Sequence, residues 1–301
     1  MKVLEMNKIS KNYGKSTAVH GFDLTVEKGH ICGLIGPNGA GKTTIMKILA
    51  GLIFQTSGEL RFFENGNLDE GRRRMSFMIE EPMVEPKMTA YDNLAYLRYV
   101  RGYPDVKRID EVLDLVGLSG SGKKKCQEFS IGMRQRLGIA MALLTKPEVL
   151  ILDEPVNGLD PEGMVEIKRI LKRISKEEKT TILISSPLLS ELSEVCTDFS
   201  LISHGKLIEN LSAKELMVKC RGHISLKTND INRTAAFLEE KFSIHDYKVL
   251  YGEEIHIFEQ LDRIEQISKA LADSGLVITK ICEEGQNLEE YYMEKVGEKN
   301  V

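Results

Sequence analysis

A glycine-rich segment between an apolar run and a helical pattern has the residue types of a phosphate-binding loop. It fits the pattern GxxxxGK[ST] and reads Gly36-Pro37-Asn38-Gly39-Ala40-Gly41-Lys42-Thr43-Thr44. Glycines allow successive backbone N–H groups to face phosphate oxygens, and the start of the following helix adds its positive dipole end. We therefore expect Lys42 to reach the β- and γ-phosphates of a nucleoside triphosphate and Thr43 to bind Mg²⁺.

An acidic pair directly follows the apolar run Val149-Leu150-Ile151-Leu152. At the end of a buried strand, Asp153 can hold Mg²⁺ through water, and Glu154 is placed to polarise an attacking water as general base. Such a pair can also be merely structural, but the phosphate-binding loop upstream favours catalysis. The two motifs together predict hydrolysis of the bound nucleotide.

The elements that must position these residues alternate between apolar strands and helices. Residues 30–36, 148–155 and 180–186 are continuous apolar runs, which indicate buried strands, and helices are predicted over 42–52 and 164–178. Strands that alternate with helices in this way predict an α/β domain with a parallel central sheet.

Two further segments differ in style from this α/β pattern. A mostly helical region over about residues 89–144 predicts a helical subdomain set into the sheet domain. Residues 221–301 alternate short strands and helices, which predicts a small α+β domain of the ferredoxin-like kind. The predicted organisation is a nucleotide-binding domain over residues 1–220 followed by this C-terminal domain, in whose sequence we find no nucleotide or metal motif.

Composition and charge are those of an ordinary globular protein. Of the 301 residues 42% are hydrophobic and 29% are charged, and the formal net charge is −4. A nearly balanced charge offers no broad positive field, so we expect no nucleic-acid partner. The five cysteines are scattered without metal-type spacing, which favours free thiols in a reducing cytosol.

A third motif, ahead of the acidic strand, carries a resemblance to a known family. The segment FSIGMRQR, residues 129–136, leads into an apolar helix and resembles the LSGGQ-type signature of ABC ATPases, with Ser130 and Gly132 at the matching positions. The resemblance covers roughly residues 1–219 and implies a P-loop NTPase fold with ATP as the nucleotide. In the family this signature faces the ATP held by another subunit, so a second ATPase subunit in a head-to-tail dimer is implied. Ser130 and the helix behind it would then complete the shell around the γ-phosphate.

The resemblance also implies a transmembrane permease subunit that is encoded separately. The N-terminal residues lack the apolar stretch of a signal peptide, and no segment approaches the ~20 apolar residues that cross a bilayer. We therefore expect a cytoplasmic protein that lies on the inner face of the cell membrane through its permease partner.

Three further residues match functional positions of the ABC ATPases. Tyr13 matches the aromatic residue that stacks on adenine, although a lone tyrosine can also serve packing. Asp160 matches the aspartate that communicates across the dimer, and it can at the same time form an Asp-Pro turn. Glu80 occupies the place of the family's Q-loop glutamine, as in bacitracin-resistance, lantibiotic-immunity and related peptide exporters, where it would sense Mg²⁺ or the attacking water. The alternative for Glu80 is a solvated loop acid.

The clearest departure from the family is Pro187, which stands where a switch histidine is expected after Ser185-Ser186. Proline has no side-chain donor or acceptor, so it cannot hydrogen-bond the γ-phosphate or position water. Two outcomes follow: a slow but working hydrolysis site, or a largely degenerate site in an asymmetric pair. The presence of Thr43, Asp153 and Glu154 favours the first.

The predicted role is the ATP-hydrolysing subunit of an ABC transporter that exports antimicrobial or membrane-active peptides. A drug or lipid exporter is the nearest alternative. A soluble, non-transport ABC ATPase acting on DNA or ribosomes is a rival, but the sequence has neither long coiled coils between the motifs nor two ATPase cassettes. The C-terminal domain can be a regulatory ligand-binding module, although a role in packing or dimer support is favoured.

Overall fold

The structure of the chain is a computed structural model, and it describes residues 1–64, 66–250, 254–285 and 288–298. The described chain forms two compact units, Met1–Ala213 with residues 295–298, and Lys214–Glu294. The boundary predicted at residue 220 lies one short helix after this division.

The first unit is built on two sheets, of which the larger carries the predicted site. Its strands in chain order are β1 (Lys2–Tyr13), β2 (Ser16–Glu27), β3 (Ile31–Ile35), β4 (Ser57–Phe62), β5 (Met75–Met78), β6 (Val149–Leu152), β7 (Thr181–Ser186), β8 (Asp198–Ser203) and β9 (Lys206–Ser212). The larger sheet has the order β5-β6-β7-β3-β8-β9 and is parallel except for the β8–β9 pair. The smaller sheet has the order β2-β1-β4 and is antiparallel.

The central strands β3, β6 and β7 are buried along their whole length. Because both faces of such a parallel sheet are covered, these strands consist mainly of apolar residues. Leu152 lies opposite Ile184, and Leu34 lies opposite Ser185. The carboxyl ends of the three strands therefore meet at one edge, which is where the predicted site residues follow.

The helices that precede residue 220 are α1 (Lys42–Ala50), α2 (Leu68–Arg73), α3 (Ala90–Val100), α4 (Lys107–Leu115), α5 (Ile131–Leu143), α6 (Pro161–Arg173), α7 (Leu189–Leu192) and α8 (Ala213–Lys219). The helices α3, α4 and α5 pack on one another and form the helical subdomain that the sequence predicts. A capping box between Thr89 and Asp92 fixes the start of α3. Helix α6 runs on into a π-helical turn over Ile174–Glu178, so the predicted helix over residues 164–178 is present in two parts.

The second unit has the order strand, helix, two strands, helix, strand. Its elements are β10 (His223–Thr228), α9 (Ile231–Phe242), β11 (Tyr247–Leu250), β12 (Glu254–Ile257), α10 (Ile264–Asp273) and β13 (Ile278–Glu284). A last helix, α11 (Leu288–Glu298), follows β13. The sheet is antiparallel in the order β11-β12-β10-β13, which is the ferredoxin-like arrangement predicted from the sequence. Alternate residues such as Leu226 and Ile255 form one core with Leu238 of α9 and Leu271 of α10.

Among the described residues, no helix combines the length and apolar character needed to cross a bilayer.

Candidate nucleotide-binding site

The phosphate-binding loop joins β3 to α1 at the carboxyl edge of the parallel sheet. A Cβ on Gly36 would lie 2.2 Å from the carbonyl oxygen of Ile202, and one on Gly41 would lie 2.8 Å from the carbonyl oxygen of Ala18. Gly41 also has a φ of 105°, which favours glycine. The loop can therefore follow this path only with glycine at both positions, and it leads into the helix end whose first N–H groups can bind an anion.

Lys42 is the first residue of α1, and its side chain is nearly fully buried. Its Nζ donates to the carbonyl oxygens of Gly36 at 2.6 Å and Pro37 at 3.2 Å, and it pairs with Glu154 Oε1 at 3.0 Å. Phosphate oxygens are acceptors of the same kind and form strong charge-assisted hydrogen bonds with an ammonium group. The position of Lys42 therefore fits the predicted contact with the β- and γ-phosphates.

A hydroxyl group that the sequence analysis did not single out holds the acidic pair in place. Ser185, near the end of β7, is fully buried. Its Oγ donates to Asp153 Oδ1 at 2.7 Å and accepts from the Glu154 backbone N–H at 2.9 Å. A polar residue inside an otherwise apolar strand is the sequence signal that points to such a role, because a buried hydroxyl requires a partner.

The backbone at Glu154 has a φ of 47°, a conformation that residues other than glycine seldom adopt. Strain of this kind is of the order of 1–3 kcal/mol and persists only where surrounding contacts fix it. Here Ser185 holds the backbone N–H, Lys42 pairs with one carboxylate oxygen, and the Asn157 amide donates to the other at 3.3 Å. The Glu154 carboxylate is thus directed towards the phosphate-binding loop.

Lys42, Glu154 and Asn157 line one cavity of about 770 Å³, within the range of 300–1,000 Å³ typical of small-molecule sites. Thr43 and Asp153 both line it, together with Arg134 and Gln135 of the signature segment. A hydroxyl and a carboxylate are the hard oxygen donors that Mg²⁺ prefers, so these residues fit the ion. The cavity brings together the three sequence motifs.

Glu80 lines the same cavity, but its carboxylate pairs with Lys47 of α1 at 2.6 Å. The hydrogen bond to Glu80 raises the pKa of the Lys47 ammonium. The Glu80 side chain remains mostly exposed. The structure thus places Glu80 beside the site and in an ion pair, and the predicted contact with Mg²⁺ or water stays a prediction.

Ser130 and Asp160 both cap helices. The Ser130 side chain accepts from the Met133 N–H at the start of α5, and Asp160 Oδ1 accepts from the Gly163 N–H at the start of α6. Both capping residues are exposed, and Gly132 lies in the first turn of α5. Their side chains therefore have a structural role within this chain, and the exposed end of α5 is available to a second subunit.

Two predicted positions lie at the borders of the site. Tyr13 ends β1, is 49% exposed and has Lys11 Nζ 5.0 Å from its ring centre. Pro187 directly follows β7 and is half-buried. The hydroxyl of the preceding Ser186 donates to Glu191 and accepts from the Leu188 N–H. The segment that follows β7 is thus held by its own side chains.

Comparison with known proteins extends the motif-based resemblance to most of the chain. A family model described as ABC transporter matches residues 19–157. The bacitracin transport ATP-binding protein BcrA of Bacillus licheniformis is 37% identical over 98% of this chain and 97% of its own length. The lantibiotic transport ATP-binding protein SrtF of Streptococcus pyogenes is 41% identical over 68% of this chain and 89% of its own length.

Solved structures agree on the fold. The dimeric ATP-binding cassette MJ0796, in a post-hydrolysis state bound to ADP and Pi, aligns with a TM-score of 0.62 over 70% of this chain and 98% of that one. Its sequence identity of 23% makes this a likeness of fold.

The fold and the site together define an ATP-binding cassette of the P-loop class. With relatives of this identity along nearly its full length, the chain belongs to the ATP-binding proteins of ABC transporters. Members of this family hydrolyse ATP, dimerise and work with separate transmembrane permease subunits. The predicted family and fold class are confirmed.

Proposed function

We propose that this chain hydrolyses ATP to power the export of antimicrobial or other membrane-active peptides. The observation that carries the proposal is the similarity to the bacitracin transport protein, which spans both units of the chain. The second unit lies outside the segment that the family model matches. A relative that is similar along both units is therefore a better guide to the transported class than the shared cassette alone.

In the proposed mechanism, Glu154 accepts a proton from the attacking water, and Lys42 binds the β- and γ-phosphates. Thr43 and Asp153 would hold Mg²⁺, which when bound neutralises charge on the phosphate oxygens. Ser185 is a positioning residue, since it fixes Asp153 and the backbone of Glu154. Gly36, Pro37, Asn38, Gly39, Ala40, Gly41 and Thr44 supply the rest of the phosphate cradle.

The remaining predicted residues act at the edges of the nucleotide. Tyr13 stacks on adenine, as its exposed ring allows. Ser130 and Gly132 of a second subunit close over the γ-phosphate, and Asp160 communicates across the dimer. Glu80 exchanges its pairing with Lys47 for contact with Mg²⁺ or water.

The assembly that we propose is a pair of ATPase subunits bound to a permease on the inner face of the cell membrane. The chain then acts from the cytoplasm, and ATP favours the closed pair. Hydrolysis removes part of that preference, which is how the chemistry would drive the permease.

Pro187 makes this hydrolysis slow, because it offers the γ-phosphate and the water no hydrogen bond. The test is ATP turnover by the purified chain and by three variants. Glu154→Gln should lower turnover by about 100-fold or more, as expected for loss of a general base. Pro187→His should raise it about 10-fold, part of what one well-placed donor contributes. Leu188→His, one position later at an exposed residue, is the matched control.

An unchanged rate in Pro187→His, or an equal gain in Leu188→His, contradicts the role assigned to Pro187. Turnover that survives Glu154→Gln contradicts the role of Glu154 as the general base.

The transported class needs a test in cells. In the organism that carries the gene, Glu154→Gln should increase sensitivity to cell-envelope-active peptides and leave sensitivity to small lipophilic drugs unchanged. If the transporter instead exports drugs or lipids, Glu154→Gln should increase sensitivity to small lipophilic drugs and leave sensitivity to the peptides unchanged.

A further inference from the structure

Three side chains that commonly bind metals converge on one face of the sheet in the second unit. His223 begins β10, His256 lies in β12, and Glu284 ends β13. Strand β10 lies between the other two, and His223 is paired directly with Glu284. One ligand atom from each of the three residues lies within 4.8 Å of the other two. This spacing is close enough for a single ion to bind all three.

The face that carries this cluster is opposite to the apolar core of the unit. Ile224, Ile255 and Ile257, which alternate with the two histidines, are buried in the core with α9 and α10. Because successive side chains of a strand point to opposite faces, the histidines lie on the other side. The side chains of His223, His256 and Glu284 are 16%, 21% and 39% exposed, so an ion can reach them from solvent.

The two imidazole rings are held together in a fixed arrangement. Their centres are 3.8 Å apart with an angle of 24° between the planes, and Phe258 packs against His223 at 5.6 Å. Nε2 of His223 is buried and makes no hydrogen bond within the described part of the chain. A buried polar nitrogen without a partner is unfavourable, and a metal ion would satisfy its lone pair.

Glu284 is oriented by its neighbours. Its Oε1 accepts from Lys280 Nζ at 2.6 Å and from the Cys282 thiol at 3.2 Å, while its Oε2 lies 3.8 Å from His223 Nε2. The first two groups thus fix the carboxylate from behind and leave the second oxygen directed at the ring. Partners of this kind orient metal ligands in known sites.

His256 makes no strong hydrogen bond to its acidic neighbour Glu254. Its Nε2 is 3.5 Å from Glu254 Oε1, which is too long for a strong hydrogen bond. Nε2 of His256 is therefore available to an ion in the cavity that His256 lines.

We propose that His223, His256 and Glu284 bind one divalent transition-metal ion of the zinc class. Two imidazoles and one carboxylate suit Zn²⁺, whereas Mg²⁺ and Ca²⁺ prefer oxygen ligands alone. Three protein ligands leave a coordination position open, and a cavity of about 650 Å³ beside the cluster gives access to it. The ligands share no residue with the nucleotide cavity.

The experiment is a titration of the full chain with Zn²⁺ by calorimetry, in excess Mg²⁺ and without nucleotide, with bound zinc measured after gel filtration. The wild-type chain should bind one equivalent at this site. His256→Gln and Glu284→Gln should each weaken Zn²⁺ binding by at least ~10-fold. Loss of a residue that only orients a metal ligand already weakens binding by about that factor, and these variants remove a ligand itself. His245→Gln is the matched control, because His245 is an exposed histidine of the same unit.

Glu284→Gln keeps both rings and the shape of the side chain, so it decides the question if His256→Gln does not fold. A wild-type chain that retains no zinc overturns the proposal. Zinc binding that is equal in Glu284→Gln and His245→Gln overturns it too. A Co²⁺-loaded chain with a thiolate charge-transfer band that disappears when the cysteines are alkylated would show cysteine ligands, and this result also overturns the proposal.

Discussion

Replacement of Ser185 by alanine should destabilise the first unit, because it removes two buried hydrogen bonds at once. The Asp153 carboxylate loses a donor at 2.7 Å, and the Glu154 N–H loses its acceptor at 2.9 Å. A hydrogen bond to a charged group contributes about 1.5–3 kcal/mol, and an unsatisfied buried group costs about 1–3 kcal/mol. The two losses share one atom and water can enter from the cavity, so we expect a total of about 2–4 kcal/mol.

The assay is unfolding in urea, followed by far-UV circular dichroism because the chain has no tryptophan. A chain of two units can unfold in two transitions, so each must be assigned. ATP binds and stabilises the unit that contains the nucleotide cavity, so the transition that shifts with ATP is the one to compare.

The Mg²⁺ concentration needed for half-maximal turnover should also rise about 10-fold, because Asp153 loses the group that orients it.

Ser193→Ala is the control for this prediction. The Ser193 hydroxyl donates to the Ser190 carbonyl oxygen at 3.1 Å at the surface, so its removal should change stability by less than about 0.5 kcal/mol. If Ser185→Ala is no less stable than Ser193→Ala and its Mg²⁺ requirement is unchanged, Ser185 does not position the acidic pair.

Two further predictions concern ion pairs of the first unit. Arg108 is 1% exposed and donates to both carboxylate oxygens of Glu178, at 3.0 and 2.9 Å, so Arg108→Met should lower the free energy of unfolding by about 3 kcal/mol. Arg173→Met removes exposed pairs with Asp114 at 3.0 Å and with Glu177 at 2.9 Å. It should cost less than about 1 kcal/mol in the same urea assay, and equal losses would refute the distinction. The hydrogen bond from Arg74 lowers the pKa of Glu148 below its usual 4.5. The pair therefore stabilises the fold fully above pH 4.5, and this contribution disappears as the pH falls through the lower pKa of the folded state. Glu148→Gln should therefore be less stable than wild type by under about 1 kcal/mol at pH 7, with a difference that vanishes in acid; a constant difference would contradict the pKa shift.

The order of elements and the position of the main motifs could be predicted from the sequence because both depend on local patterns. The strands β3, β6 and β7 are buried throughout, and strands of that kind consist mainly of apolar residues. The loop glycines are equally local, since the backbone of neighbouring elements excludes a side chain at Gly36. The alternation of short elements in the second unit similarly predicted its ferredoxin-like topology.

The contacts that complete the sites depend on register and side-chain reach, which local patterns do not contain. Ser185 meets Asp153 because β6 and β7 are neighbours in a particular register. Glu80 and Lys47 come from a loop and a helix that only the folded chain brings together. His223, His256 and Glu284 lie far apart in the sequence and on three different strands, so no spacing rule for metal ligands detects them.

The pairing of Lys42 with Glu154 links nucleotide binding to the availability of the base in the proposed mechanism. With its ammonium 3.0 Å from the Glu154 carboxylate, Lys42 competes with water for that group. Phosphate oxygens bind the same ammonium, so ATP exchanges this ion pair for a lysine–phosphate contact. Glu154 remains held by Ser185 and Asn157, and its Oε1 becomes able to accept a proton. In this mechanism, the base would thus be released where the phosphates of a bound nucleotide take up the Lys42 ammonium.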